Sequence, residues 1–541
     1  EIDGKALEVE DGKMIIEVAD AAGIYIPRFC YHKKLSIAAN CRMCLVHVEK
    51  AAKPLPACAT PISDGMKIYT KSDVAIKAQK GVMEFLLINH PLDCPICDQG
   101  GECQLQDLAV GFGGSSSRYT ELKRVVPNKD LGPLIATDMT RCIHCTRCVR
   151  FGQELAGIME LGMTGRGEFA EIGTYVARTV NSELSGNMID LCPVGALTSK
   201  PFRYTARTWE LSRRASVSPH CGLGSNLIIQ VKQNRVMRVL PRENEEINEC
   251  WLSDKDRFSY EGLNSEERLT QPMIKQDGQW QECDWQTALE HTANALNEVR
   301  HQHGAEMLGA LASPHSTLEE LYLLQKLMRA LGCNNIDHRL RQSDFRGDAD
   351  GAKAPWMGME IEELSTLDRI LIIGSNLRQD HPLLAHRMRV AVKRGAELNL
   401  INFTDDDLLA PVKHRLITAP ALLPEALDKI SWHLREAKFA DARTNIMQAI
   451  AQGLGEGENV GIFLGNQAQH HPQFAEMHAA VQDMASMVNA RWGFLGEAAN
   501  SVGAYLAGAV PMAGPLGRVP DKMGMNAGQM IAAPLRAYIL L

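Results

Sequence analysis

The cysteines of this sequence are concentrated in its N-terminal part. Of the 15 cysteines in 541 residues, 11 lie before residue 193, where they fall into three groups. A large chain without a secretion signal does not usually need disulfide bonds, so clustered cysteines are typical of metal ligands in a reducing compartment. The pattern therefore predicts several metal or iron–sulfur sites.

The first group has the spacing C-x10-C-x2-C-x13-C and consists of Cys30, Cys41, Cys44 and Cys58. It follows a segment of alternating apolar and polar residues that turns at Asp11 and Gly12, which predicts a β-hairpin over residues 6–16, and then a short helix. Four thiolates after a small sheet are typical of a plant-type [2Fe-2S] site, although the first gap is longer than usual. A structural zinc site is the alternative.

The second group has the spacing H-x3-C-x2-C-x5-C and consists of His90, Cys94, Cys97 and Cys103. The histidine stands shortly before a CxxC motif that lacks a fourth cysteine, so we expect it to complete the set for a [4Fe-4S] cluster. A neutral imidazole in place of a thiolate removes a negative charge and should raise the reduction potential, as in Rieske centres. A zinc site with three cysteines and one histidine is the competing interpretation.

The third group has the spacing C-x2-C-x2-C followed by a distant Cys-Pro pair, and consists of Cys142, Cys145, Cys148 and Cys192. This is the pattern of ferredoxin [4Fe-4S] sites, here for one cluster instead of two. We expect His144, between the ligands, to be a solvated loop residue with no role in ligation. Three different iron–sulfur patterns in one chain favour an electron-transfer protein over a set of unrelated zinc sites.

Composition excludes other classes of function. Hydrophobic residues make up 45% of the chain and charged residues 23%, as in globular proteins. The net charge of -8, without a Lys/Arg-rich block, argues against nucleic-acid binding. The longest uncharged stretch near the end, residues 498–515, is interrupted by glycine and proline, so we expect membrane association only through partner subunits. We expect both ends of the sequence to be trimmed.

The order of these three patterns resembles three families: the large iron–sulfur subunit (75-kDa type) of respiratory complex I, the iron-only hydrogenases, and the large subunit of NAD-linked formate dehydrogenases. The resemblance covers the entire chain and includes residues 92–103 and 244–248. Hydrogenases carry further cysteine motifs for the hydrogen-activating cluster, whereas the later cysteines of this chain are scattered. They are Cys221, Cys250, Cys283 and Cys333.

The formate dehydrogenase family has a further set of four cluster ligands, and the matching positions are Ser218, Cys221, Ser225 and Ser253. A serine hydroxyl is not deprotonated at neutral pH and is a poor ligand for iron–sulfide, so a single thiol cannot hold this cluster. We interpret the set as a lost fourth site, with Cys221 and Cys250 left as buried thiols.

The C-terminal half resembles the molybdopterin oxidoreductases. A strand around residues 367–376, a helix over 384–392 and a strand over 398–403 predict a βαβ unit. In the stretch 337–343, Ser343 lies where that family presents its metal ligand. Some molybdenum enzymes use serine, but the neighbouring cluster is lost. We therefore expect a vestigial domain without molybdenum cofactor. A catalytic molybdenum or tungsten enzyme remains the main alternative. A third interpretation is an interaction scaffold with structural zinc sites.

The fold class implied is a multidomain α/β chain, with an N-terminal β-grasp ferredoxin-like domain, helical and ferredoxin-type cluster-binding segments, and a vestigial molybdopterin-oxidoreductase-like domain. The expected boundaries are residues 1–75 for the [2Fe-2S] domain, 76–125 for the one-histidine segment, 126–212 for the ferredoxin-type domain, 213–269 for the degenerate cluster domain, and 270–541 for the vestigial, C-terminally truncated domain.

The complex I family matches this combination best, and the resemblance implies the function. The chain would carry one [2Fe-2S] and two [4Fe-4S] clusters and pass single electrons toward quinone. Iron–sulfur clusters pass one electron at a time and offer no hydride acceptor, and the chain has no GxGxxG fingerprint for a nucleotide, so we expect no catalytic residue. A flavin-bearing, NADH-oxidising partner and other cluster-bearing subunits would complete a peripheral arm on the cytoplasmic face of a bacterial inner membrane, or the matrix face in mitochondria.

Overall fold

The structure is a computed structural model, and it describes residues 1–175, 178–350, 354–437 and 445–541. The chain forms two compact units. Unit 1 comprises Glu1–Arg213 and Gln230–Arg238, and unit 2 comprises Arg214–Ile229 and Val239–Leu541. All three predicted cysteine groups lie in unit 1, and the predicted lost site lies in unit 2.

Unit 1 consists of short elements joined by long loops. Its helices are α1 (Ile15–Ala21), α2 (Asp73–Leu87), α3 (Gln104–Phe112), α4 (Arg147–Phe151) and α5 (Asn187–Leu191). Its strands are β1 (Leu45–Val48), β2 (Leu55–Pro56), β3 (Ile68–Tyr69), β4 (Ile135–Thr137), β5 (Leu161–Thr164), β6 (Glu171–Thr174) and β7 (Leu197–Ser199). β1 is the central strand of an antiparallel sheet with β2 and β3, while β4 pairs with β7 and β5 with β6.

The hairpin predicted over residues 6–16 is wrong. Residues 6–10 lie in no strand, and Met14 forms only an isolated bridge before α1 begins at Ile15. The Glu17 carboxylate accepts a hydrogen bond from the N–H of Met14 at 2.8 Å, as in a capping box. The apolar residues that follow have helical spacing, so α1 buries one face against the small sheet.

Three strands in the middle of the chain form one sheet. They are β8 (Ser212–Val217), β9 (Asn226–Lys232) and β10 (Arg235–Pro241), with β9 in the centre.

Unit 2 is built around parallel sheets flanked by helices. Its other strands are β11 (Met273–Gln276), β12 (Gln279–Glu282), β13 (Leu308–Leu311), β14 (Ile336–Asp337), β15 (Arg369–Ile373), β16 (Glu397–Asn402), β17 (His414–Ile417), β18 (Val460–Leu464), β19 (Arg491–Phe494) and β20 (Ala537–Leu540). The parallel sheets have the orders β17-β16-β15-β18-β19 and β14-β13-β20, and β11 and β12 form a hairpin.

The helices of unit 2 are α6 (Asp254–Phe258), α7 (Trp285–His303), α8 (Leu318–Ala330), α9 (Leu377–Asp380), α10 (Pro382–Lys393), α11 (Leu423–Glu436), α12 (Ile446–Gly455), α13 (Asn466–Gln469), α14 (Phe474–Val488), α15 (Ser501–Ala507) and α16 (Ala527–Ala532). The predicted βαβ unit is confirmed, because β15 and β16 are parallel and α10 connects them. Strands β15 and β18 of the larger sheet are almost wholly apolar, as expected for strands of a parallel sheet covered on both faces.

Candidate iron–sulfur sites

The four sulfurs of the first group lie together in the core of the N-terminal segment. All four side chains are buried. The N–H of Cys30 donates to the sulfur of Cys41 at 3.3 Å. The pKa of Cys30 is lowered, because the Cys41 and Cys58 thiols hydrogen-bond to its sulfur, and the pKa of Cys44 is lowered by the Cys58 thiol. The group is therefore one connected set of thiols.

Local backbone geometry positions this first group. Cys44 immediately precedes β1, and Cys58 lies on a short 3₁₀ turn over Ala57–Ala59. Ala39 and Arg42 adopt left-handed backbone angles, with φ of 50° and 59°, in the loop that carries Cys41. The loop thus folds back on itself and directs its cysteines toward Cys30.

The second group surrounds a cavity of about 120 Å³. The cavity is lined by all four predicted ligands, His90, Cys94, Cys97 and Cys103, together with Arg141, Gly195 and several apolar residues. Cys103 is the N-cap residue of α3. Residues spread over more than a hundred positions thus enclose one space large enough for more than a single ion.

His90 has the properties of a metal ligand. Its Nδ1 atom is buried and has no hydrogen-bond partner among the described residues. Burial, together with the positive charges of Lys123 and Arg141, lowers the pKa of His90 to about 4, so the imidazole is neutral at pH 7. A neutral ring with an unused lone pair is the form that binds a metal.

The backbone at Gly195 closely approaches this second group. A Cβ atom at this position would lie 2.1 Å from the sulfur of Cys97, so glycine leaves the room that the sulfur occupies. The carbonyl of Gly195 accepts a hydrogen bond from Arg141, which also pairs with Asp93 at 3.0 Å and Asp138 at 2.9 Å. The second group is thereby held against the loop after Cys192.

The third group lines another cavity, which contains Cys142, Cys145, Cys148 and Cys192 with apolar side chains around them. Burial raises the pKa of Cys142 to about 12 and that of Cys145 to about 11, and it also raises the pKa of Cys148 and Cys192. These thiols would ionise only with a strong positive partner, such as iron. The donor set therefore fits an iron–sulfur cluster.

The expectation that His144 is solvated is wrong. Its side chain is half-buried, and its Nε2 lies 3.2 Å from a guanidinium nitrogen of Arg124. The pKa of His144 is lowered by burial and by Arg124. The residue has a left-handed φ of 53°, and its N–H donates to the sulfur of Cys142 at 3.4 Å. It does not line the cavity of the third group.

Within the described ranges, no three His, Cys, Asp or Glu side chains converge closely enough to bind a single metal ion. The second and third groups are instead arranged around cavities.

The four positions of the predicted lost site also come together, but around a carboxylate. Asp256 Oδ1 accepts a hydrogen bond from the Ser218 hydroxyl at 2.5 Å, and its Oδ2 accepts from Ser253 at 2.8 Å and Ser225 at 3.3 Å. The thiol of Cys221 lies 3.7 Å from the same Oδ2. All five side chains are buried. The carboxylate thus occupies the centre of the set.

Sequence reasoning missed Asp256, because a single acidic residue in a helix carries no motif of its own. The signal was its position three residues after Ser253, which caps α6 and accepts the N–H of Asp256 at 3.0 Å. The interpretation of Cys221 as a buried thiol agrees with the structure, but Cys250 is only half-buried.

The loop that corresponds to the molybdenum-ligand motif is held by ion pairs. Asp337 is fully buried and pairs with Arg339, which also pairs with Asp348. The charge of Arg339 keeps the pKa of Asp337 below its ordinary value, although burial acts in the opposite direction. Ser343 is exposed, and it does not line the cavity beside this loop.

Five family models match the chain. They are a 2Fe-2S iron–sulfur cluster binding domain (residues 1–73), the NADH-ubiquinone oxidoreductase-G iron–sulfur binding region (79–118), the ferredoxin-like domain of NADH-quinone oxidoreductase subunit 3 (132–198), the NDSU1/NuoG-like 4Fe-4S domain of NADH-ubiquinone oxidoreductase (212–261), and molybdopterin oxidoreductase (268–541). The chain therefore contains [2Fe-2S] and [4Fe-4S] binding domains and a molybdopterin oxidoreductase domain.

Curated relatives agree with these models. The chain is 48% identical over 395 residues to the G subunit of the NADH-quinone oxidoreductase of Rickettsia felis, a match that covers 73% of this chain and 58% of the relative. It is 46% identical over 411 residues to the NADH-ubiquinone oxidoreductase 75 kDa subunit of Reclinomonas americana, with the same coverage. The matches thus span little more than half the length of these relatives.

One solved structure is similar over a smaller region. A chain of an NAD+-reducing [NiFe]-hydrogenase in the H2-reduced state is 28% identical, with a TM-score of 0.36, and the match covers 38% of this chain and 88% of that chain. No helix in the described part of the chain is long and apolar enough to cross a membrane.

Proposed function

Because the chain belongs to the molybdopterin oxidoreductase family over residues 268–541 and is related to the large iron–sulfur (75 kDa) subunits of NADH-quinone oxidoreductases, we propose that it is an electron-transfer subunit of such a complex. It relays single electrons from a flavin-bearing subunit toward quinone. It is part of an oxidoreductase and has no catalytic site of its own.

The observation that carries this proposal is the convergence of the predicted ligands. Three groups of four side chains, drawn from separate parts of the sequence, each come together in unit 1. Unit 1 thus provides the donor sets of three iron–sulfur clusters within one compact body. Such an array suits electron transfer better than binding of a substrate.

We assign one cluster to each donor set. The [2Fe-2S] cluster is held by Cys30, Cys41, Cys44 and Cys58. One [4Fe-4S] cluster is held by His90, Cys94, Cys97 and Cys103. The other is held by Cys142, Cys145, Cys148 and Cys192. When bound, these clusters supply one-electron redox chemistry.

The protein's own residues place and tune these sites. The first and third groups lie in largely apolar, buried surroundings, which exclude water and keep the sites in a low dielectric. The buried guanidinium of Arg141 lines the cavity of the second group, and a positive charge there favours the more negative, reduced form. Burial and charge would therefore set the potentials.

Unit 2 serves as a scaffold in this proposal. Its fourth ligand set is closed around Asp256, and its Ser343 is exposed. A molybdenum centre needs a neighbouring cluster to take up its electrons, and three of the four ligands for that cluster are serines. We propose that the chain divides into five domains, with residues 1–75, 76–125, 126–212, 213–269 and 270–541.

The partners follow from the same relationship. A flavin-bearing subunit that oxidises NADH supplies the electrons, and other cluster-bearing subunits accept them. The chain lies in the peripheral arm of the complex, on the cytoplasmic face of a bacterial inner membrane or the matrix face in mitochondria. It contacts the membrane only through the complex.

Anaerobic analysis of iron, acid-labile sulfide and molybdenum in the purified chain tests the proposal. One [2Fe-2S] and two [4Fe-4S] clusters predict about ten irons with an equal amount of sulfide, and no molybdenum. About fourteen irons with molybdenum would identify a catalytic molybdenum enzyme and overturn the proposal. Zinc without sulfide would point to a structural scaffold and would also overturn it.

A further inference from the structure

Two buried arginines flank Cys148 on helix α4. Arg147 is 5% exposed and Arg150 is 7% exposed. Arginine is almost never so deeply buried unless its charge is paired. The groups that surround these two guanidiniums therefore show which charge they balance.

Arg150 joins the first and third cysteine groups. Its Nη2 donates to the carbonyl oxygen of Cys30 at 2.5 Å and to that of Cys145 at 3.2 Å. Its Nη1 donates to the carbonyl of Ser36, and its Nε donates to the Thr146 hydroxyl at 3.3 Å. A single side chain thus binds the backbone of a predicted ligand in each of two groups that lie more than a hundred residues apart.

Arg147 reaches all three groups. Its Nη2 donates to the carbonyl of Tyr31 at 2.7 Å, and its Nη1 donates to the side-chain oxygen of Gln104 at 3.2 Å and to the carbonyl of Leu191 at 3.4 Å. Each of these three residues is the immediate chain neighbour of a predicted ligand, and each belongs to a different group. The guanidinium therefore lies where the three groups meet.

Neither arginine forms an ion pair with a carboxylate in the described ranges of the chain. Their acceptors are carbonyl, amide and hydroxyl oxygens. Two buried cations without counterions would be costly, so the negative charge must come from the cysteine groups themselves.

We infer that Arg147 and Arg150 are positioning residues for electron transfer, whose charges balance the anionic cluster sites and whose hydrogen bonds fix the three ligand groups relative to one another. This inference rests on the proposed function. Thiolate-bound clusters carry net negative charge that grows on reduction, so a nearby cation raises the reduction potential. Arg150 acts on the first and third sites, and Arg147 acts on all three.

The test is a redox titration of the complex that contains the full-length subunit, followed by electron paramagnetic resonance. Arg150→Gln removes the charge and is expected to shift the potentials of the first and third clusters downward, while that of the second stays unchanged. Arg150→Lys keeps the charge and is expected to retain most of the wild-type potential. Arg147→Gln is expected to lower all three potentials.

Arg329→Gln is the matched control. Arg329 is a half-buried arginine of unit 2 that donates to the carbonyls of Gly508, Val510 and Ala513. Its replacement removes a comparable set of hydrogen bonds away from the cysteine groups, so the three potentials should not change.

Unchanged potentials in Arg150→Gln, with wild-type iron content, would overturn the inference. If Arg150→Gln does not retain iron, the potentials of Arg150→Lys are decisive. Wild-type potentials in Arg150→Lys would support a charge effect, and lowered potentials would overturn the inference. Wild-type protein without iron–sulfur signals would instead overturn the proposed function, so the two failures are distinguishable.

Discussion

At the scale of single residues, His90 carries the most specific chemistry of the chain. It is buried, it is neutral at pH 7, and one of its ring nitrogens has no partner among the described residues. A buried polar atom without a hydrogen bond is costly, and a bond to iron would remove that cost. With His90 as a ligand, the second donor set would be less negative than the other two.

Replacing His90 with cysteine tests its role. His90→Cys should keep a [4Fe-4S] cluster but lower its reduction potential, because a thiolate adds a negative charge to the site. The measurement is a redox titration followed by electron paramagnetic resonance. A potential equal to that of the wild type would show that His90 is not a ligand.

His144→Gln is the control for this substitution. His144 also lies beside cysteines and is half-buried, but it contacts Arg124 and does not line the cavity of the third group. The His144→Gln variant should therefore keep the cluster of the third group, with about four irons, as in the wild type.

At the scale of elements, the loop over residues 218–225 and helix α6 retain the layout of a cluster site without its chemistry. Three hydroxyls and a thiol of these elements converge on the carboxylate of Asp256. These hydrogen bonds satisfy the buried carboxyl group, which lies at the centre of the four positions.

This geometry predicts what is needed to restore a cluster. Ser218→Cys, Ser225→Cys and Ser253→Cys combined with Asp256→Ala should add about four irons per chain, because four thiols then surround a space without a carboxylate. The same three cysteines with Asp256 retained should add none, since the side chain of Asp256 fills the centre of the set. Iron and sulfide analysis measures the difference. Equal iron in both variants would contradict the role given to Asp256.

At the scale of the whole molecule, the two units differ in their chemistry. Unit 1 has small sheets, long loops and all three predicted donor sets, whereas unit 2 has parallel sheets with large apolar cores. Loops can bring ligands from distant positions around a cluster, and a packed parallel sheet provides rigidity without a ligand. We therefore expect metal binding to be confined to unit 1.

Paired serine substitutions test this division. Cys148→Ser, in unit 1, should lower the iron content by about four atoms per chain, because one ligand of a [4Fe-4S] site is lost. Cys221→Ser, in unit 2, should leave iron and sulfide unchanged, since its thiol lies beside the Asp256 carboxylate. Elemental analysis of both purified variants provides the measurement. Loss of iron from Cys221→Ser would mean that unit 2 binds a cluster.

The sequence by itself predicted the three donor sets, the loss of a fourth, the βαβ unit and the relationship to the large complex I subunit. These features depend on residue type and on spacing along the chain, because iron–sulfide requires thiolate or imidazole donors and serine cannot replace them. A short run of apolar residues between two turn regions is likewise consistent with a buried strand, and the alternation of two such runs with a helical stretch predicted the βαβ unit.

Only the tertiary structure decided which distant residues share a space. No local pattern specifies that Gly195 lies beside Cys97, that Asp256 lies among three serines, or that the arginines of α4 lie between the cysteine groups. The predicted hairpin failed for the same reason. A few apolar residues among polar ones are compatible with a strand or a helix. Ile15 and Ile16 pack against the core from the helix α1, which stabilises the helix.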